Sequence, residues 1–275
     1  MTSDTIPVPA TLSLAHLNHA GPGSRWRTEA MRSHATSRLI LTTKGQGRIT
    51  VAGLTNGYGP NNLIYIPPQT MYGLEVGPTV FGQVLSFSPQ DGWPEKPVHL
   101  RLLGVEPQKE AISHFEAIER ELKPTGDRRA AVCHFGLLSV FFERQQKGHN
   151  SAQQDERRSS AAAQLAERYT AMIARDFGSD RNVADYAAAL GVTTAHLTRC
   201  CQKTCGRTAL ELLNERVHYE ACVLLSDTRR PIHEIASDLG FQTAAYFTRR
   251  FQELSGKSPS AFREFEMARN PQKIV

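Results

Sequence analysis

Thr198, Arg199 and Gln202 recur fifty residues later as Thr248, Arg249 and Gln252. These side chains suit one kind of chemistry, the reading of base edges in duplex DNA. Arginine can bridge O6 and N7 of guanine, glutamine can pair with adenine, and a threonine methyl can meet the methyl of thymine. A triplet repeated at one interval requires two like-built elements to carry it.

Those elements are legible around each triplet. Val183, Tyr186, Ala187 and Leu190 fall at i, i+3, i+4 and i+7, and Ile232, Ile235, Ala236 and Leu239 repeat the pattern. Each series is one apolar face of a short helix. Each is followed by a glycine, Gly191 or Gly240, which permits a sharp turn. Thr193 and Thr243 then stand where a hydroxyl can cap a new helix. The new helices run from Thr194 to Cys205 and from Ala244 to Ser255, and both end at glycine, Gly206 and Gly256. Leu197, Cys200 and Cys201, like Phe247 and Phe251, supply the inward stripe and leave the triplets off it. Between the copies, residues 208–226 read as one helix of about 28 Å at 1.5 Å per residue. Such a spacer could set the outer helices in successive major-groove windows, about 34 Å apart.

With these motifs in place, residues 165–270 resemble the double helix-turn-helix domain of AraC/XylS-type bacterial transcription regulators. The likeness is carried by Ala187-Ala-Ala-Leu-Gly-Val192, Leu197-Thr-Arg199, Arg216 with Ala221 and Leu224-Leu225, Ile232 to Phe241, Tyr246-Phe-Thr-Arg-Arg-Phe251, and Gly256 to Arg263. Cys201 departs from it, standing where a large aromatic is common. The resemblance implies base contacts from Ala195, Thr198 and Arg199 in the first copy and from Ala244, Ala245 and Arg249 in the second. Gln202 and Thr248 join this set from the matched spacing. Thr193, Thr243, Arg250, Lys257 and Arg263 are the expected phosphate contacts, which set register without reading sequence. For each of these cations the competing reading is a solvated surface charge.

The preceding half is built differently. Short apolar runs at 39–41, 49–51, 63–66, 80–87 and 98–100 are separated by Lys44-Gly-Gln-Gly47, the Gly/Asn-rich stretch 56–62 and Pro67-Pro68. This is the punctuation of antiparallel strands, closing as a barrel or sandwich. The segment from His34 to Phe87 is similar to the cupin-like sensor barrel that precedes many AraC-type domains. Such a barrel can enclose a small effector, and Trp26, His34, Arg38, Arg48, Tyr65 and Tyr72 are its candidate wall. An inward Arg38 or Arg48 would favour a carboxylate. Helical spacing returns after Pro107, and Val132, Phe135, Leu138 and Phe142 mark the candidate face of a dimerisation element implied by the resemblance. Packing of that face back onto the barrel is the alternative.

The expected organisation is therefore α+β and multidomain: a cupin-like antiparallel barrel at 1–105, a helical dimerisation element at 106–147, a polar linker at 148–160 and an all-α double helix-turn-helix at 161–270. With 40% hydrophobic residues against 21% charged, the chain lies outside the compositional range of disordered proteins. Its net charge of +5 permits an anionic partner without requiring one. No apolar run approaches the length of a membrane span, and the opening residues lack the pattern of a secretory signal, so a cytoplasmic location is expected. The expected partners are double-stranded DNA, a small-molecule effector, a second copy of the chain and, by resemblance, RNA polymerase.

Neither a cofactor nor a metal is expected, because the scattered histidines offer no three-nitrogen ligand set. The rival reading is a cupin-type metal enzyme fused to a helical domain, and a third is a dimeric regulator that needs no ligand. The five cysteines fit a reducing compartment. Cys200, Cys201 and Cys222 read best as small buried hydrophobes, whereas Cys205 is open.

Overall fold

The computed structural model describes residues 9–17, 19, 22–148, 157–178 and 181–269. Eight strands lead the chain: β1 (Leu12–Leu17), β2 (Ser37–Lys44), β3 (Gly47–Val51), β4 (Leu54–Tyr58), β5 (Asn62–Ile66), β6 (Tyr72–Leu74), β7 (Phe81–Phe87) and β8 (Val98–Arg101). A 3-10 helix, Pro22–Arg27, lies between the first two. The strands form a five-stranded sheet in the order β1-β7-β2-β5-β8 and a three-stranded sheet in the order β4-β3-β6. All pairings are antiparallel.

The larger sheet buries both faces, and strand alternation decides which residue goes where. Ile40, Ile64 and Ile66 point to the smaller sheet and pack with Ile49, Val51, Tyr58, Tyr72 and Leu74. Leu39, Leu41, Leu63, Tyr65, Leu85 and Phe87 point the other way, onto α1 (Val105–Leu122) and α2 (Arg128–Gly148). Burial of each such side chain is worth about 2 kcal/mol relative to exposure.

Two expectations need correction. Residues 54–58 form β4 although the stretch 56–62 reads as a turn, because Asn56 and Gly57 pair with Ile49 and Arg48 along a sheet edge, where weak strand formers are tolerated. The tight turn falls earlier, at Ala52-Gly53, where both residues have positive φ (51° and 75°) as a two-residue hairpin loop requires. The second correction concerns dimerisation. Val132, Phe135, Leu138 and Phe142 are all buried within the single chain, and Phe135, Leu138 and Phe142 pack on the five-stranded sheet as a core face.

The C-terminal region is all helical: α3 (Ala161–Asp176), α4 (Val183–Ala189), α5 (Thr194–Cys205), α6 (Ala209–Asp227), α7 (Ile232–Asp238), α8 (Ala244–Ser255) and α9 (Pro259–Arg269). Helix α6 spans two cores. Its first half, with Leu212 and Leu213, joins Tyr169, Tyr186 and Leu197, and its second half, with Cys222 and Leu225, joins Ile235, Phe247, Phe251 and Phe262. Of the expected linker, residues 149–156 lie outside the described residues. Arg157 beyond them hydrogen-bonds Asn56 Oδ1 at 3.0 Å.

The β region and the helical region share a seam. Met31 and Met71 complete the first helical core, and Trp26 packs against the second. A Cβ added to Gly53 would stand 2.9 Å from the Ala166 side chain, so the β3–β4 hairpin approaches α3 at backbone distance. Arg207 donates from Nη1 to Thr50 Oγ1 at 2.9 Å and from Nε to Glu215 Oε1 at 2.9 Å. Thr50 lies 2.7 Å from the Thr55 hydroxyl, which donates to the Cys205 carbonyl at the end of α5.

Candidate nucleic-acid interface

Each outer helix is fixed at both ends by the residues that the sequence pattern marks. At α5, Thr193 Oγ1 accepts from the His196 N–H at 3.2 Å, and at α8, Thr243 Oγ1 accepts from the Tyr246 N–H at 3.1 Å. Each hydroxyl keeps its own proton available to an acceptor in front of the helix, where the N-terminal dipole also favours phosphate. Both helices stop at a left-handed glycine, Gly206 (φ 69°) and Gly256 (φ 72°). The turns before them are made by Gly191 and Gly240, also at positive φ. Within α4, Asn182 and Asp185 form a reciprocal capping box, as Thr208 and Glu211 do for α6.

Packing then sets which side chains face out. Leu197, Cys200, Cys201 and Cys205 are buried on α5, and Phe247 and Phe251 on α8. Ala195, Arg199, Gln202, Ala245 and Arg249 are exposed, while Thr198, Ala244 and Thr248 are partly exposed. The structure thus leaves all eight expected base-reading residues off the buried stripes. Tyr246 was missed by the spacing argument. It is half exposed on α8, with the Arg249 guanidinium 5.3 Å from its ring centre and Phe241 5.8 Å away. The same fifty-residue offset that picks the triplets would have paired it with His196.

The expected phosphate contacts fare unequally. Arg250 donates to Glu253 at 2.9 Å and Lys257 Nζ sits 3.6 Å above the Phe265 ring, so both are partly committed. Arg263 Nη2 donates to the Arg230 carbonyl at 2.6 Å, and its Nε is buried without a partner among the described residues. Arg263 therefore ties α9 to the segment before α7. Between the two units Arg216 is buried, stacked 3.6 Å over Phe177 and paired with Glu220 at 2.9 Å. It braces α6 rather than reaching outward.

The cysteines of α5 are packing groups. Burial pushes the Cys201 thiol up to about 12, with Cys205 and Cys200 adding to the shift, and burial raises Cys205 and Cys222 as well. Among the described residues no group of three or more His, Cys, Asp or Glu side chains is placed to hold a metal ion.

A family model described as a helix-turn-helix domain matches residues 186–264. The chain is 23% identical over 238 residues to the arabinose operon regulatory protein of Escherichia coli (strain K12), covering 82% of this chain and 79% of that protein. Its counterpart from Salmonella typhimurium (strain LT2) is 24% identical, with 82% of each chain covered. The helical half thus carries the helix-turn-helix domain of a DNA-binding transcription regulator, and the chain is similar over most of its length to regulators of the AraC/XylS type. A solved structure of ToxT from Vibrio cholerae, with unsaturated fatty acid bound, matches 92% of the regulator and 94% of that chain at 13% identity and a TM-score of 0.44.

The candidate effector wall of the regulator is not one surface. His34 and Tyr72 lie together, their ring centres 5.8 Å apart, and Arg38, whose Nη1 donates to Ser86, is near enough to help depress His34. Tyr65 faces away from the inter-sheet space, into an aromatic cluster with Phe87, Trp93 and Phe142. Arg48 is exposed and pairs with Glu75 at 3.1 Å. Trp26 stands on the 3-10 helix, between Tyr219 and Phe262 of the helical region. Tyr65 is thus a core residue by strand alternation, and Arg48 is a surface ion-pair partner. Among the described residues no helix is long and apolar enough to cross a membrane.

Proposed function

We propose that this regulator acts in the cytoplasm as a homodimer, without enzymatic activity, and reads promoter DNA with α5 and α8 under the control of a small-molecule effector. The observation that carries the reading is the matched outward chemistry of the two helices. Arg199 and Arg249 stand fifty positions apart, both exposed, on helices whose opposite faces are buried. Two probes of like build, joined by the single rigid helix α6, suit two neighbouring major-groove windows.

The dimer surface falls to the outer stripe of α2. Leu137 (55% exposed), Val140 (43% exposed) and the exposed Cys133 share that stripe, opposite the buried one. Activation through contact with RNA polymerase is the direction the family resemblance implies. The effector reading is supported by the extent of the seam, since a ligand acts only by preferring one of two arrangements, and here the β region and both helical cores meet.

Genome-wide occupancy mapping of the tagged protein, followed by footprinting at the recovered sites, tests the reading. Two protected major-groove segments one helical turn apart, lost separately in Arg199→Ala and Arg249→Ala, are expected. Sequence-blind coating of DNA would overturn it.

A further inference from the structure

A cavity of about 390 Å³ lies outside the β sandwich, between the 3-10 helix and the second helix-turn-helix unit. Its apolar side is aromatic, with Trp26 from the β region and Phe262 and Phe265 from α9. Trp26 is held in place by Phe262 at 5.9 Å and by a hydrogen bond from Nε1 to Glu266 at 3.4 Å.

The charged side has a surplus cation. Arg25 faces Glu29 at 3.8 Å and Arg207 binds Glu215 at 2.9 Å, so each carboxylate in the wall already has a guanidinium. Lys257 is left over, and its ammonium rests on the Phe265 ring. Also in the wall, His218 keeps one buried polar atom, Nδ1, with no hydrogen-bond partner among the described residues. Buried polar atoms in folded proteins nearly always have a partner. An aromatic slot, an unmatched cation and an unpartnered imidazole nitrogen in one wall together describe a binding site.

We propose that this cavity binds a small aryl carboxylate, its ring against Trp26 and Phe262 and its anion at Lys257, with Arg25 contributing at the mouth. The inference deepens the effector reading above and rests on it. Arg207 and Glu215 line the cavity and also hold the β3–β4 hairpin, through Thr50, next to the end of α5. Occupancy is therefore felt at the first reading helix.

The probe is 3-phenylpropionate, titrated into the full-length protein by calorimetry and by tryptophan fluorescence. The chain has two tryptophans, and Trp93 sits apart in the cluster with Tyr65 and Phe87. Saturable binding with a dissociation constant of about 1 mM or tighter is expected. Trp26→Phe should abolish the fluorescence change while calorimetric binding persists. Lys257→Gln should weaken binding about tenfold and Lys257→Arg should retain it, which separates loss of charge from loss of fold. The isosteric 3-phenylpropylamine should bind about tenfold more weakly. Absence of saturable binding, equal binding of the amine, or full affinity in Lys257→Gln overturns the inference. Gel-shift affinity for a recovered promoter without probe reports on the regulator reading independently, so DNA binding without probe binding sinks only the cavity assignment.

Discussion

Glu266, on the last helix, accepts from Arg27 Nη2 at 2.7 Å, and its side chain is only 1% exposed. The two residues belong to opposite ends of the chain, so a carboxylate from the helical region is satisfied by a guanidinium from the β region. The Trp26 indole donates to the other oxygen of the same carboxylate. The second core is thereby closed by residues that its own region does not supply.

Removing one partner should expose that dependence. Arg27→Leu strands the carboxylate with one long hydrogen bond, and a loss of about 3 kcal/mol is expected. Arg27→Leu combined with Glu266→Leu should recover much of it, because no charge is then left buried. Urea unfolding of the three variants decides the matter. An effect below about 0.5 kcal/mol in the single variant would mean that water reaches the pair.

The helical region was legible because its signals are local. Caps, glycine stops and apolar stripes lie within one or two turns of the residues they position, and duplication doubled each signal. The β region was legible only as a class. Leu12–Leu17 and Tyr72–Leu74 escaped notice because their pairing partners, β7 and β3, are not adjacent in sequence, and Leu54–Tyr58 because Asn56 and Gly57 carry no strand propensity although its partner β3 is the neighbouring strand. Which face of α2 is covered could not be read from periodicity, since Phe135 and Leu138 are as apolar against a sheet as against a second chain. The seam was invisible: nothing local to Arg27 points to Glu266.

The two stripes of α2 give a clean contrast. Leu137 is 55% exposed and Leu138 fully buried on the five-stranded sheet. Leu137→Asp should leave the fold intact and shift the protein to monomer, read by sedimentation velocity. Leu138→Asp should instead destabilise the chain by more than about 3 kcal/mol, because an unpaired carboxylate enters the core. An unchanged dimer in Leu137→Asp would place the interface elsewhere.

Stability should fall on acidification from near-neutral pH. Burial, with Arg38, Arg32 and Arg216 adding repulsion, holds His34 down at about 3, and burial holds His218 at about 4, against an ordinary value of 6.5. Between those values and 6.5 the unfolded chain binds more protons than the folded one, so this stability is complete above about 6.5 and lost as pH drops toward 3. His34 lies against Tyr72 and Tyr219, across the seam, so the loss should begin there. Thermal melts from pH 7.5 to 4.5 should slope downward, and His34→Phe should flatten the slope. A flat profile in the parent protein would show that water already hydrates both rings.

The arginines of the second unit should divide by role. Arg249 is exposed on α8, with the Tyr246 ring beside it, so Arg249→Ala should leave the fold unchanged and cost about 1–3 kcal/mol of binding at one base position. Arg263 spends its guanidinium on the Arg230 carbonyl. Arg263→Ala should lower the melting temperature of the second unit and weaken all DNA sequences together, through loosening of α7 against α9, while the slope of affinity against salt changes little. A salt slope reduced by about one would mean that Arg263 reaches a phosphate after all. Competition binding against single-base variants of a recovered site, repeated at several salt concentrations, separates the two. Equal and sequence-blind losses from both substitutions would remove Arg249 from the reading set.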